Sequence, residues 1–123
     1  MHESKSKSVS SFDNHLKIFE NTIIEIKNFT NLNDIRFYIV LLPSIYKFYP
    51  NYKNDKSSIV KEIILKNNIN FLDLNDELFV KISDPLDLWP FAIFDKENIL
   101  FFHLNENGYY KVAETIYEKI MID

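Results

Sequence analysis

Residues Ile35-Arg36-Phe37-Tyr38-Ile39-Val40-Leu41-Leu42 carry the strongest strand signal in the chain. The stretch is rich in β-branched and aromatic residues and almost continuously apolar. A strand wetted on one face alternates polar and apolar residues, so a continuous run predicts a strand covered on both faces, as in a parallel sheet layered with helices. Pro43 ends it, having no N–H to give to a ladder. Upstream, Leu16, Phe19, Ile23 and Ile26 keep helical spacing among Lys17, Glu20, Glu25 and Lys27, which predicts a helix over 13–29 capped by Ser11 or Asp13, with a turn at 31–34. Downstream, Ile59, Val60, Ile63 and Ile64 predict a helix over 57–67, stopped at Asn67-Asn68. Residues 69–74, INFLDL, form a second strand with Asp73 near its carboxyl end. Strand, helix and strand in this order make a right-handed βαβ unit, and the fold class is α/β with a short parallel sheet.

The flanks read less sharply. Residues 1–11, MHESKSKSVSS, have no hydrophobic period and are expected to be disordered, leaving 12–123 as a single α/β domain. Residues 43–55 are an aromatic and polar loop, longer than most α/β connections, and such loops are often functional. Its Tyr46, Phe48, Tyr49 and Tyr52 could stack on a sugar, line an acyl pocket or cover the core, and covering is the favoured reading. Between 76 and 94, Asp84-Pro85 and Trp89-Pro90 break any long helix, which predicts one short helix and a loop.

Composition removes whole classes of function. The chain has 123 residues, 46% of them hydrophobic, enough for one core. A net charge of −4 lacks the clustered positive field of a nucleic-acid binder, so no nucleic acid is expected as a partner. Cys 0 removes disulfides, zinc-thiolate sites and a cysteine nucleophile. Gly 1 removes phosphate loops and dinucleotide fingerprints, which need glycine for close backbone approach, and no cofactor is implied. His2 and His15 stand near Glu3 and Asp13 without metal-ligand spacing, so no metal is expected. No apolar run approaches the ~20 residues of a membrane span, and the amino terminus is too polar for a signal peptide, so the expected setting is cytoplasmic.

The one stretch that carries chemistry is Phe102-His103-Leu104-Asn105-Glu106-Asn107-Gly108-Tyr109-Tyr110. Asn105 is placed to cap a helix whose apolar stripe would be Tyr109, Val112, Ala113, Ile116 and Ile120. His103 then lies on a short loop between an apolar run, residues 99–102, and that helix. Such a loop can hold a titratable group within reach of a ligand.

This block resembles the last conserved block of the SGNH (GDSL-type) hydrolase superfamily, serine esterases and acyl-transfer enzymes on a flavodoxin-like sheet. In that block a His, usually followed by Leu or Pro and then Asn, precedes a Gly and an Ala-containing helix. The matching residues are His103, Leu104, Asn105, Gly108 and Ala113. The element order from Phe12 onward is similar to the second half of such a three-layer domain, although only the His block is specific. The resemblance implies that His103 is the general base of a Ser-His-Asp triad acting on an ester or an O-acylated, commonly acetylated, carbohydrate.

Two departures bear on activity. The family's Asp, two or three residues before the His, is replaced by Phe101 and Leu100, which cannot hold an imidazole in its useful tautomer. The Gly-Asp-Ser nucleophile block and the oxyanion Gly and Asn would lie upstream of Met1. Ser44 is the only serine at a sheet end, and nothing in the sequence places it beside His103. Asp73 lies where open α/β sheets bind ligands, but a solvated turn carboxylate is the plainer reading. A two-strand sheet also leaves an apolar edge that invites self-association. These features together lead to the expectation of an incomplete, C-terminal piece of such a domain. Three readings follow: a half-domain that needs an upstream or partner serine and is inactive alone, a non-catalytic binding or assembly module descended from such an enzyme, and an unrelated small α/β interaction domain.

Overall fold

A computed structural model describes residues 2–49, 55–90, 94–95, 98–99 and 103–121. Tyr52, Leu100, Phe101 and Phe102, on which parts of the sequence reading rest, lie outside these residues. The described chain is a mixed α/β structure. Helix α1 spans His2–Leu32, strand β1 Tyr38–Leu41, helix α2 Ser57–Lys66 and strand β2 Asn70–Asp73. Helix α3 covers Leu74–Glu77, a short antiparallel pair is formed by β3 (Phe94–Asp95) and β4 (Asn98–Ile99), and helix α4 covers Glu106–Ile116. Strands β1 and β2 pair as a parallel two-stranded sheet. None of the described helices is long and apolar enough to cross a membrane.

Helix α1 begins well before residue 13, where the hydrophobic period starts. The stretch ahead of it contains neither Gly nor Pro, and extending a helix from a formed turn is far less costly than nucleating one. Strand β1 differs from expectation in its burial. All four of its residues are half-buried, while Ile35 and Leu42, expected inside the strand, flank it and are 51% and 45% exposed. Its single strand neighbour among the described residues accounts for this, because the second edge and the strand ends gain no cover.

The chain divides into two compact units, one of residues 1–39 and 56–71 and one of residues 40–55 and 72–123, so the division passes through both strands of the sheet. The first unit is organised on Ile23, Ile64 and Ile69, with Phe19, Phe37, Ile39, Val60, Ile63 and Phe71 packed around them. The Lys27 ammonium donates to the Asn67 carbonyl at 2.7 Å, and Lys66 pairs with Glu20 at 3.0 Å. Asn68 follows the end of α2 with φ 53, a left-handed conformation that asparagine adopts more readily than most residues, and this stops the helix where the sequence suggested.

The second unit is organised on Phe79, Leu74 and Leu88, each essentially without solvent contact, with Ile45, Leu72, Trp89, Leu104 and Ile120 also buried. Phe48, Phe79 and Trp89 form an aromatic cluster with ring centroids 5.3 to 5.6 Å apart. Phe48 in this way covers the core, as favoured for the aromatic loop. The ambiguous stretch after Asp76 resolves into 3-10 turns at Phe79–Lys81 and Pro85–Leu88. Asp84 accepts from the Leu86 N–H, and Pro85 sits at the first turn position, where its missing N–H is not needed.

Candidate functional site

The histidine loop is assembled from its backbone outward. The Asn105 side-chain oxygen accepts from the Gly108 N–H at 2.8 Å, which makes it the N-cap of α4 as expected. Its amide nitrogen donates to the carbonyls of Asp87 at 2.7 Å and Trp89 at 3.1 Å. Its backbone N–H donates to the Leu88 carbonyl at 2.9 Å. One residue therefore ties the start of α4 to three consecutive carbonyls at the end of the Pro85–Leu88 turn. Leu104, buried beside it, completes the anchor.

Gly108 is needed for the same contact. A Cβ built on it would lie 2.4 Å from the Leu88 oxygen and 3.0 Å from the Leu104 Cβ. The single glycine of the chain thus sits where α4 presses against the turn. Its position inside a helix, where glycine costs about 1 kcal/mol against alanine, was the only signal in the sequence for that approach. The three carbonyls that Asn105 binds carry no sequence signal at all.

The packed face of α4 follows the expected stripe in part: Ile120 is buried and Val112 and Ile116 are half-buried. Gly108 and Thr115 are buried, whereas Tyr109 is 52% exposed and Ala113 is also exposed. Hydrophobicity pointed to the tyrosine, but the close approach at Gly108 sets which side faces inward. Thr115 satisfies its hydroxyl by donating to the Lys111 carbonyl at 2.8 Å. Beyond α4 a wider π turn, Tyr117–Met121, buries Ile120 and places Lys119 on Glu77 at 3.0 Å. The hydrogen bond from Lys119, with help from Lys81, holds the Glu77 carboxyl below the ordinary range.

The remaining candidates sit on the same unit in distinct local roles. His103 is exposed, and its imidazole makes no hydrogen bond or ion pair among the described residues. Ser44 accepts from the Tyr46 N–H at 3.3 Å and so caps the short turn Ile45–Phe48. Tyr46 is half-buried on that turn. Asp73 ends β2 and accepts from the Asn75 N–H at 2.9 Å, capping α3. No hydrogen bond or ion pair among the described residues joins Ser44 or Asp73 to His103. A shallow depression lined by Asn105, Glu106, Asn107 and Tyr110 opens at the start of α4. No three acidic or histidine side chains among the described residues gather as a metal ion would require.

Compared with known proteins, the chain matches no family model, no curated protein and no solved structure.

Proposed function

We propose that this chain is the histidine-bearing part of an SGNH-type ester hydrolase or O-acyl transfer domain. In this reading it supplies His103 as general base to a serine carried on another segment or chain, and it does not hydrolyse esters alone. The observation that supports the reading most is the contrast within three residues. Asn105 is locked by a cap and three bonds to the 87–89 backbone, while His103 is presented to solvent with no partner among the described residues. An exposed imidazole on an anchored loop suits a base that must reach a hydroxyl brought from elsewhere. The β1-α2-β2 order would correspond to part of a flavodoxin-like parallel sheet, and the substrate class would be an ester or an acetylated carbohydrate.

A second reading is favoured by the caps. The oxygens of Ser44 and Asp73 that a triad would use are engaged with their own backbone turns, which fits a non-catalytic binding or assembly module descended from such an enzyme. Hydrolysis of p-nitrophenyl acetate separates the two. The chain alone should be no faster than its His103→Ala variant. Joined to a segment that carries a strand and a Gly-Asp-Ser block, it should gain activity, and His103→Ala should then lower kcat by about 10³-fold or more. If the joined preparation is active and indifferent to His103→Ala, or gains no activity, the base reading is lost and the module reading stands.

A further inference from the structure

A second polar feature lies in the unit built from α1, α2 and the amino-terminal halves of the two strands. Lys27, Asn31, Arg36, Asn68 and Asn70 line a cleft of about 210 Å³ at the amino ends of β1 and β2, and the rest of its wall is apolar. Two cations and three amides face it, with no carboxylate among the lining residues. Asp34 stands two residues from Arg36 in sequence but does not line it.

The carboxyl ends of α1 and α2 lie beside this cleft, and bare helix carbonyls would repel an anion. Several of these carbonyls are already engaged. Thr30 O accepts from the Ile35 N–H at 2.8 Å and Ile64 O from the Ile69 N–H at 3.3 Å. Phe29 O accepts from the Asn33 amide and Ile63 O from the Asn67 amide, both at 2.8 Å. Asn67 O accepts from the Lys27 ammonium, which keeps that charge in place with hydrogens to spare. Asn70 is held by donating its amide to Phe37 O at 3.1 Å. Arg36 is different. It is exposed and makes no hydrogen bond or ion pair among the described residues, so its guanidinium fork is unspent in a protein whose net charge is −4.

We propose that this cleft binds a small oxyanion, the phosphate or carboxylate group of a ligand, with Arg36 and Lys27 as its charged contacts and the asparagine amides as neutral donors. The volume equals that of about seven waters, enough for a phosphate with a small group attached. Guanidinium matches either oxyanion through two parallel N–H bonds. The site makes no use of His103 and stands whatever the fate of the ester-hydrolase reading.

The test is a titration of the ¹⁵N-labelled full chain with inorganic phosphate, acetate and chloride at matched ionic strength. Phosphate or acetate should give saturating shifts at the Arg36 side-chain Nε and at the Asn68 and Asn70 amides, while chloride should not. Tighter saturation by phosphate assigns a phosphate group to the ligand, and tighter saturation by acetate a carboxylate. Arg36→Gln should weaken the apparent Kd about tenfold or more, and Asn31→Ala by less. Arg36 is exposed and makes no hydrogen bond or ion pair among the described residues, so its variant should keep the amide spectrum of a folded chain away from the cleft. Shifts that merely follow ionic strength, or saturation unchanged in Arg36→Gln, would overturn the proposal.

Discussion

At the residue scale, Gly108 and Asn105 share one contact with the turn at 87–89 and fail in different ways. Gly108→Ala removes a helix-weakening glycine, so propensity alone predicts a gain of about 1 kcal/mol. The Leu88 oxygen 2.4 Å from the new Cβ reverses that sign, since backbone rather than a flexible side-chain tip must move. The expected outcome is a loss of about 1 to 3 kcal/mol in urea unfolding. A neutral or stabilised variant would show that α4 does not press on the turn. Asn105→Ala should cost about 2 to 4 kcal/mol, from the lost cap and two lost amide bonds. Asn105→Asp is the sharper comparison. Aspartate caps as well as asparagine, but it places a carboxylate against the carbonyls of Asp87 and Trp89. It should therefore be no more stable than Asn105→Ala by the same unfolding measurement, whereas a cap-only role would leave it close to the parent.

At the element scale, Glu77 joins the end of α3 to the π turn after α4 through Lys119. Because the Lys119 hydrogen bond keeps the folded carboxyl below its ordinary value, the folded state holds the charged form more strongly than the unfolded chain does. The stability this provides is present above the ordinary carboxylate pKa and is lost as pH falls through the folded value. Thermal melts should therefore show the parent above Glu77→Gln near about pH 7 and the gap closing below about pH 4. A gap that persists unchanged in acid would assign the variant's loss to packing rather than to charge. The same scale explains why Tyr109 and Ala113 of α4 stay exposed. The helix's periodicity was legible and Val112, Ile116 and Ile120 pack as expected, but including Tyr109 and Ala113 in the stripe counted only transfer free energy. The buried face runs through Gly108 and Thr115, where a missing side chain and a self-satisfied hydroxyl permit closer approach.

At the scale of the whole molecule, the pI near 5.3 coexists with large apolar side chains in solvent, among them Leu32 at 87%, Phe29 at 62% and Ile18 at 62%, all on α1. Net charge keeps such surfaces apart, and that protection disappears at the pI. Light scattering at fixed concentration should rise as pH falls from about 8 toward 5.3. Leu32→Gln, which leaves the charge unchanged, should reduce it. Scattering indifferent to both would mean that these side chains do not mediate association.

The strand-helix-strand order, the stop at Asn67-Asn68 and the Asn105 cap were determined by local chemistry: apolar period, turn residues and a short polar side chain next to orphan amides. Local chemistry thus made the α/β class and the place of the histidine loop readable from the residues alone. Folding alone settled how closely separate segments approach one another. It placed three carbonyls at 87–89 within reach of one asparagine. It gave the only glycine a contact across 20 residues and brought Arg36 and Lys27 to one cleft. Such contacts depend on where backbones come to rest against one another, and no single stretch of residues encodes that distance.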